Sequence, residues 1–293
     1  MSANSPGSGV SIGVTGKRVL AVYGHPDDEG QVTGTLAALI AAGNAVTLLC
    51  GTRGEVGEIS DAALATPDTL WYTRELELRA AMAQIGLADV RFLPFRDSGM
   101  DGTPENADPR ALHQQPPAVA VPAILAVMRE VRPHLVFTWQ PDGGYGHPDH
   151  IAIHRHTLAA FDACADAGAH PEAGAPWAPE RLYWGARTAR LFATFRLEME
   201  RRGLLPEPLT EEARQRITEM LARPEPTVSV TIDTAAYIEV KRRASSMHRS
   251  QFGENSMFAR IPDDLLTEFF GEERFYQARP EAVADNAPRT DFS

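Results

Sequence analysis

Lysine is nearly absent from this 293-residue sequence, in which Lys17 and Lys241 are the only two. Arginine supplies the other 26 of the 28 basic residues, and 39 acidic residues bring the formal net charge to −11. A protein that binds nucleic acid needs a concentrated basic surface to displace the counterions of the phosphates. No stretch of Lys and Arg is long enough to provide one, so we expect no nucleic-acid partner.

Cysteines and long apolar segments are also scarce. The two cysteines, Cys50 and Cys164, form no CxxC pair and are too few for a disulfide framework. No apolar run approaches the roughly 18 residues that span a bilayer, and the N-terminus lacks the basic start and apolar stretch of a signal peptide. We therefore expect a cytoplasmic protein without a membrane partner. The oligomeric state is unknown from composition.

Apolar strands alternate with helices through the first half of the chain. The strands of this half are predicted at 18–23, 45–50, 90–95 and 134–139. The helices are predicted at 30–42, 71–85, 119–131 and 149–166. This alternation is typical of an α/β protein, here a Rossmann-like, mostly parallel sheet with helices on both faces. The less regular second half adds predicted strands at 181–186 and 228–233 and helices at 189–202, 210–221 and 234–249.

The segment boundaries suggest one domain between two polar ends. Residues 1–16 are rich in Ser and Gly and predict a flexible lead-in, and the polar residues 279–293 predict a frayed tail. Residues 17–278 are interpreted as a single domain, with a Rossmann-like core over about 17–168 and a mixed C-terminal elaboration over about 169–278.

The first chemical signal is His25-Pro26-Asp27-Asp28-Glu29, directly after the first predicted strand. Reactive residues of parallel sheets gather at the carboxyl ends of the strands. A His and an Asp three residues apart across a strand-to-helix turn can face one point and offer a nitrogen and an oxygen ligand. Asp27 then points elsewhere and stays available as a base. The structural alternative, that the acids only favour the next helix start, does not explain His25.

The second signal is Tyr145-Gly146-His147-Pro148-Asp149-His150, which follows the strand at 134–139. It lies at the same predicted edge of the sheet as the first cluster. Taken alone, it could be a capped helix start with two surface histidines. Both clusters together supply His, Asp and His ligands with acid and base groups left over.

Three protein ligands and an open position are what a catalytic zinc site requires. A bound metal lowers the pKa of its water and polarises a carbonyl. A carboxylate can take the proton of the water, and a cationic imidazole can stabilise the oxyanion or protonate the leaving amine. The spacing therefore predicts metal-assisted amide hydrolysis as the reaction class.

The pair HPDDE and GHPDH resembles the PIG-L/LmbE family of metal-dependent N-acetylglucosaminide deacetylases, over about residues 18–165 with weaker similarity near 235–250. The segments TRGEVGE and RDSGM resemble its branch in low-molecular-weight thiol biosynthesis, the mycothiol/bacillithiol-type deacetylases. The resemblance implies a small N-acetylated amino-sugar conjugate as substrate. It also implies zinc, with Fe²⁺ as an alternative, held by His25, Asp28 and His150.

The same resemblance implies roles for four catalytic residues. Asp27 is the implied general base. His147 is the implied group that stabilises the oxyanion and protonates the amine, with Asp149 orienting it. Tyr145 matches a mobile tyrosine that contacts the substrate carbonyl.

Three further residues match positions that touch the hydroxyls of the sugar or the aglycone. They are Glu58 in GEVGE, Arg74 in RELEL and Asp97 in RDSG. The structural alternatives are a solvated loop acid for Glu58 and a helix-face ion pair for Arg74. Apart from the weaker similarity near 235–250, no motif that we identify after residue 170 carries the resemblance, so the sequence leaves the natural aglycone open.

Other hypotheses share parts of this pattern. Two His and a carboxylate also describe the site of non-haem Fe(II) oxygenases, although the H-x-x-D spacing here lies on a parallel α/β sheet. A sugar-binding module without catalysis would not require both Asp27 and His147. An amidase that acts on a related sugar-thiol conjugate is a third alternative.

Overall fold

The computed structural model describes residues 10–186, 189–205, 207–253, 261–282 and 287–293. The strands in these ranges are β1 (Arg18–Tyr23), β2 (Ala45–Cys50), β3 (Asp89–Phe92), β4 (Leu135–Thr138), β5 (Arg181–Gly185), β6 (Val230–Asp233) and β7 (Glu272–Arg279). They form one sheet in the order β3-β2-β1-β4-β5-β7-β6. Strands β1 to β5 are parallel, whereas β7 runs antiparallel to both β5 and β6.

Helices lie on both faces of this sheet. In the described ranges they are α1 (Thr33–Ala41), α2 (Leu70–Ala83), α3 (Pro117–Val131), the one-turn α4 (Gly143–Gly146), α5 (Pro148–Ala163), α6 (Ala189–Arg201), α7 (Glu211–Ala222), α8 (Ile238–Met247), the one-turn α9 (Arg249–Phe252) and α10 (Asp263–Phe270). Helix α3 packs on α5, and α8 packs on both α1 and α2. The central strand β1 is therefore apolar and buried from Val19 to Tyr23, as expected of a strand covered on both faces.

The predicted α/β fold with a mostly parallel sheet is confirmed. The third strand is shorter than predicted and ends at Phe92, because Pro94 has no N–H to continue the ladder. Strand β7 was not predicted, because its sequence EERFYQAR is dominated by polar residues. One of these, Glu273, is 1% exposed in its side chain and pairs with Lys241 at 2.7 Å. Because a charged residue is buried at this position, the sequence of β7 lacks the apolar pattern from which a buried strand is predicted.

The order of strands places the two chemical motifs side by side. Chain connections run outward from β1 to β2 and β3 on one side, and resume at β4 on the other side of β1. Ligands of open α/β sheets bind in the crevice at such a reversal, outside the carboxyl ends of the strands. The motif after β1 and the motif after β4 meet in this crevice.

The described parts of the two chain ends contact each other and the core. Ile12 is 4% exposed, and its carbonyl oxygen accepts a hydrogen bond of 3.1 Å from the backbone N–H of Phe292. The Phe292 ring is fully buried, with its centroid 5.3 Å from that of Phe137 and 5.0 Å from that of Tyr183. One large apolar side chain thus packs an otherwise polar tail against the core, and the flexible lead-in and the frayed tail stay predictions. Residues 1–9 and 283–286 lie outside the described residues, and the domain boundaries stay a prediction.

None of the helices in the described ranges combines the length with the apolar composition needed to cross a bilayer. The cytoplasmic location stays a prediction.

Replacing Phe292 by alanine should lower the free energy of unfolding by about 3–5 kcal/mol, because it removes a buried ring and leaves a cavity among aromatic neighbours. Urea denaturation of the parent and of Phe292→Ala measures this difference. Phe192→Ala is the matched control, because that ring is 45% exposed. Equal unfolding midpoints for Phe292→Ala and the parent would contradict the anchoring role.

Candidate metal centre and active site

Asp28 occupies the turn between β1 and α1 and is held there by hydrogen bonds to one carboxylate oxygen. Its Oδ2 accepts from the backbone N–H groups of Gly24 and His25, both at 2.9 Å, and from Nε1 of Trp139 at 2.8 Å. The other oxygen, Oδ1, lies 3.2 Å from Nε2 of His150. Burial disfavours the charged carboxylate, but His150, His25 and the Trp139 hydrogen bond outweigh burial and lower the pKa of Asp28. Asp28 is therefore an ionised carboxylate with one oxygen directed at His150.

Outer partners orient the two imidazoles of the predicted metal site. Nδ1 of His150 lies 3.0 Å from the carbonyl oxygen of Gly143, so it carries the proton and leaves the Nε2 lone pair free. Nε2 of His25 lies 3.2 Å from Oδ2 of Asp149 and 3.4 Å from Oδ1 of Asp97, so it is the protonated nitrogen of that ring. Such second partners fix the tautomer and the direction of metal-binding histidines.

The remaining nitrogens, Nδ1 of His25 and Nε2 of His150, face each other at 3.1 Å. Two lone pairs at this distance repel unless a positive charge lies between them, either an added proton or a cation. Burial alone would lower the pKa of His25, but Asp97 and Asp149 raise it above its usual value. The surroundings of His25 therefore favour a positive charge, which a divalent cation can supply.

The three predicted ligands lie close to the separations of a tetrahedral donor set. The nitrogens of His25 and His150 are 3.1 Å apart, Oδ1 of Asp28 is 3.2 Å from Nε2 of His150, and Oδ2 of Asp28 is 3.7 Å from Nδ1 of His25. Zinc ligands at about 2.0–2.2 Å from a tetrahedral ion lie about 3.3–3.6 Å from one another. The residues present therefore fit a metal ion. His147 is also near, because its ligand atom lies within 4.8 Å of those of His25 and His150.

Asp27 adopts a backbone conformation that is rare for a residue with a side chain. Its φ is 100° and its ψ is −20°, a left-handed geometry that costs on the order of 1–3 kcal/mol outside glycine. Its Oδ2 lies 3.1 Å from Nη2 of Arg74. Burial in the floor of the site raises the pKa of Asp27 to about 6, Arg74 opposes this rise, and Asp28 adds to it. A carboxylate with that pKa is ionised at neutral pH and basic enough to take a proton.

His147 is the N-terminal cap of α5, and Asp149 orients it differently from the prediction. The backbone N–H of Asp149 donates to Nδ1 of His147 at 3.2 Å, which leaves Nε2 as the protonated nitrogen of the neutral ring. The carboxylate of Asp149 contacts His25 and accepts from the backbone N–H groups of Ser98 and His113, each at 2.8 Å. Burial, with help from His25 and His150, lowers the pKa of His147 to about 3. The imidazole is neutral and carries a donor for an oxyanion.

The three predicted sugar contacts occupy different surroundings. Arg74 is 3% exposed, and its guanidinium donates to the carbonyl oxygens of Pro26 and Gly54 as well as to Asp27. Gly54, at φ 67°, has no room for a side chain against this guanidinium. Asp97 is 3% exposed beside His25, and Glu58 is exposed in the loop after β2. Their roles as sugar contacts stay predictions.

A cavity of about 290 Å³ opens next to Asp28, one of the predicted metal ligands. Asp27, Asp28 and Trp139 line one part of it, and Tyr145, which is 64% exposed, stands at its edge. The remaining lining residues come from the start of α1 and from the C-terminal half of the chain, and are Glu29, Gly30, Gln31, Thr33, Lys241, Ser245, His248, Phe252 and Phe270. One predicted ligand, Asp28, and the predicted base, Asp27, therefore line the same cavity.

Sequence reasoning misses two residues of this site, Trp139 and Glu29, and leaves a third, His248, open. Trp139 is predicted only as the end of a strand, and its indole N–H, which donates to Asp28, is the signal that could reveal it. Glu29 belongs to the first motif without a predicted role. The sequence allows His248 either to line the site or to occupy a surface position on a helix, and it lines the cavity. Glu29 and His248 are both buried and form an ion pair at 2.6 Å.

Comparison with known proteins identifies the relatives of this chain. Residues 20–161 match the family model PIG-L, described as GlcNAc-PI de-N-acetylase. A 1D-myo-inositol 2-acetamido-2-deoxy-alpha-D-glucopyranoside deacetylase of Rhodococcus erythropolis is 43% identical over 249 residues, which are 80% of this chain and 81% of that protein. A deacetylase with the same name from Geodermatophilus obscurus is 37% identical over 90% of this chain and 93% of its own length.

A solved structure has the same fold at low sequence identity. The N,N'-diacetylchitobiose deacetylase of Pyrococcus horikoshii has a TM-score of 0.60 and 18% identity, covering 89% of this chain and 83% of its own. This likeness supports the fold alone, so the chemistry has to be read from the site residues.

Loss of one ligand should abolish tight metal binding. After loading with zinc and gel filtration, we expect one zinc per parent chain, and at least about 10-fold less in Asp28→Ala and in His150→Ala. Asp27→Asn is the matched control, a neighbouring carboxylate that should leave the zinc content unchanged. Elemental analysis measures the content, and circular dichroism confirms that each variant is folded. Full zinc content in Asp28→Ala with loss in His147→Ala would instead assign the ion to the three histidines.

Proposed function

The chain belongs to the PIG-L family, and from this membership we propose that it is a metal-dependent hydrolase that removes the acetyl group from an N-acetylglucosaminyl conjugate. The observation that carries the proposal is the convergence of His25, Asp28 and His150 beside a free carboxylate, Asp27, and a neutral imidazole, His147. Family membership gives the reaction class, and the geometry supplies a group for each of its steps.

We propose zinc as the metal, held by His25 Nδ1, Asp28 and His150 Nε2. When bound there, zinc supplies Lewis-acid chemistry, which polarises the amide carbonyl and lowers the pKa of a water molecule. The buried Asp97 and Asp149 carboxylates keep the outward nitrogen of His25 protonated, so the inward nitrogen is available as a ligand.

The residues of the chain then move the protons. Asp27, ionised above a pH of about 6, takes a proton from the attacking water as the new C–O bond forms. The Nε2–H of neutral His147 donates to the oxygen that develops negative charge. The proton taken by Asp27 returns to the amide nitrogen, through His147 or directly, as the C–N bond breaks. The products are acetate and the free amine of the sugar.

We propose that the substrate is an N-acetylglucosaminide of a small polyol. The two related deacetylases are named for a 1D-myo-inositol conjugate of N-acetylglucosamine, and their similarity covers most of both chains. The cavity of about 290 Å³ has room for a single sugar ring next to the ligands, close to the lower limit of small-molecule sites. Tyr145 at its edge is positioned to close over the acetyl group.

One second candidate shares the ligand set. Two imidazoles and a carboxylate also suit Fe²⁺, either as the hydrolytic metal or in an oxygen-dependent enzyme. The buried carboxylates behind His25 serve either ion equally well. Adding back each metal under anaerobic conditions separates the two: hydrolysis needs no oxygen, whereas an oxygenase does.

Zinc-loaded protein should release acetate from N-acetylglucosaminyl-inositol faster than from N-acetylglucosaminyl-malate or N-acetylglucosamine. Chelation should abolish release, and zinc should restore it. Asp27→Asn should retain zinc but lower kcat by about 10²–10⁴-fold, the usual contribution of a general base. An enzymatic acetate assay measures the rates, and elemental analysis measures the zinc content of Asp27→Asn. Zinc-loaded parent that releases no acetate from the three compounds would refute the proposed function.

The pH dependence should report Asp27. Because the base acts when deprotonated, kcat/KM should fall with decreasing pH along a limb with an apparent pKa of about 6. A cation bound by Asp28 would lower the pKa of Asp27 below this value. Arg74 lowers the pKa of Asp27, so Arg74→Gln should move the limb to higher pH. Arg79→Gln, which changes an arginine of the same helix that pairs with Glu75, is the control. A limb at the same pH in Arg74→Gln, with zinc content constant, would exclude Asp27 as its source.

A further inference from the structure

A buried ion pair joins the active-site turn to the C-terminal half of the chain. Nε2 of His248 lies 2.6 Å from Oε1 of Glu29, and the two side chains are 1% and 3% exposed. His248 lies at the junction of α8 and α9, 219 residues along the chain from Glu29. Neither residue is among the predicted metal ligands or proton-transfer groups. The pair therefore needs an explanation beyond the chemistry assigned above.

The second oxygen of Glu29 reaches the residue that acts as the base. Its Oε2 accepts a hydrogen bond of 2.9 Å from the backbone N–H of Asp27. That N–H belongs to the residue with the left-handed backbone at φ 100°. Because such a conformation is unfavourable for aspartate, the surrounding contacts have to maintain it. Glu29 therefore holds the main chain of Asp27, while Arg74 holds its carboxylate.

The support behind His248 is itself anchored. Ser250, in α9, donates to Glu77 of α2 through its backbone N–H at 2.7 Å and its hydroxyl at 2.6 Å. The backbone N–H of Ser60, in the loop after β2, donates to the carbonyl oxygen of Ser250 at 2.8 Å. His248 thus contacts Glu29 from a segment that is hydrogen-bonded both to α2 and to the loop after β2.

Packing alone does not account for the pair. A buried ion pair is often no more stabilising than apolar side chains of the same volume, because both charges lose their water. Nδ1 of His248 is also buried without a hydrogen-bond partner among the described residues, which adds a cost. The pair of Glu29 and His248 therefore adds little to stability, while one oxygen of Glu29 binds the backbone of Asp27. A role in orienting Asp27 explains why this buried polar pair is present.

We infer that Glu29 and His248 are positioning residues, which hold the Asp27 backbone in its left-handed conformation and thereby aim its carboxylate at the reacting water. The inference rests on the proposed function only in taking Asp27 as the general base. It makes the C-terminal elaboration part of the catalytic apparatus, through His248, although its residues touch no reacting atom.

The kinetic test compares Glu29→Ala with Glu29→Gln in zinc-loaded protein. The alanine variant loses the acceptor for Asp27, so kcat should fall by about 10–100-fold with KM within about twofold, as for a catalytic group displaced by an ångström. Glutamine keeps an acceptor oxygen and can donate to His248, so kcat should stay within about threefold of the parent. His248→Ala should fall between the two. Glu239→Ala, an exposed glutamate on α8, is the control and should leave kcat unchanged.

A positioning role acts through Asp27 and has to vanish without it. In an Asp27→Asn background, Glu29→Ala should change the residual kcat by less than about twofold. Amide hydrogen exchange gives a readout independent of activity: the Asp27 N–H should exchange at least about 10-fold faster in Glu29→Ala and at the parent rate in Glu29→Gln. NMR of the zinc-loaded proteins measures this rate.

Three results would overturn the inference: a kcat within twofold of the parent in zinc-loaded Glu29→Ala, an undiminished loss in the Asp27→Asn background, or an unchanged exchange rate at Asp27. A parent that releases no acetate would refute the proposed function instead. The exchange rates would then still decide whether Glu29 and His248 hold the Asp27 backbone.

Discussion

Two imidazole nitrogens that face each other at 3.1 Å impose the constraint on which the site depends. Their lone pairs are turned inward because the carbonyl oxygen of Gly143 binds the far side of His150, and the carboxylates of Asp97 and Asp149 bind the far side of His25. Separating or rotating the rings would leave these buried partners unsatisfied, at a cost the protein avoids. The arrangement therefore favours a positive charge between the two nitrogens, and the carboxylate of Asp28 lies beside them.

The sheet explains why residues 125 positions apart can meet with this accuracy. Strands β1 and β4 are adjacent and parallel, so the turns that follow them emerge at the same edge. The chain reverses its direction of winding between these two strands, which opens the crevice there. Trp139, at the end of β4, then bonds the carboxylate that follows β1 and locks the two turns together. Rigid strands supply the precision that loops alone would lack.

The C-terminal half of the chain supports this crevice from the side. Glu273 of β7 accepts from the backbone N–H groups of Gly34 and Thr35 at the start of α1 and pairs with Lys241 of α8. The pair of Glu29 and His248 makes a second connection, which lies directly after Asp27 and Asp28 along the chain. Both connections are ionic and buried, so they fix geometry and direction more than they add stability. The segment that is least regular in sequence thus borders the same cavity as Asp27 and Asp28.

The parallel α/β core can be predicted from the sequence, because buried strands and amphipathic helices leave local periodic patterns. The two motifs after β1 and β4 can be predicted as well, because the predicted ligands of each motif lie within three residues of another polar group in the same turn. Three contacts become visible only in the folded chain: the Asp149 carboxylate binds His25, His248 reaches Glu29, and Phe292 packs the tail against the core. These contacts join residues more than 100 positions apart, and a contact across that distance leaves no periodicity in the local sequence. It exists only after the sheet has brought the two partners together.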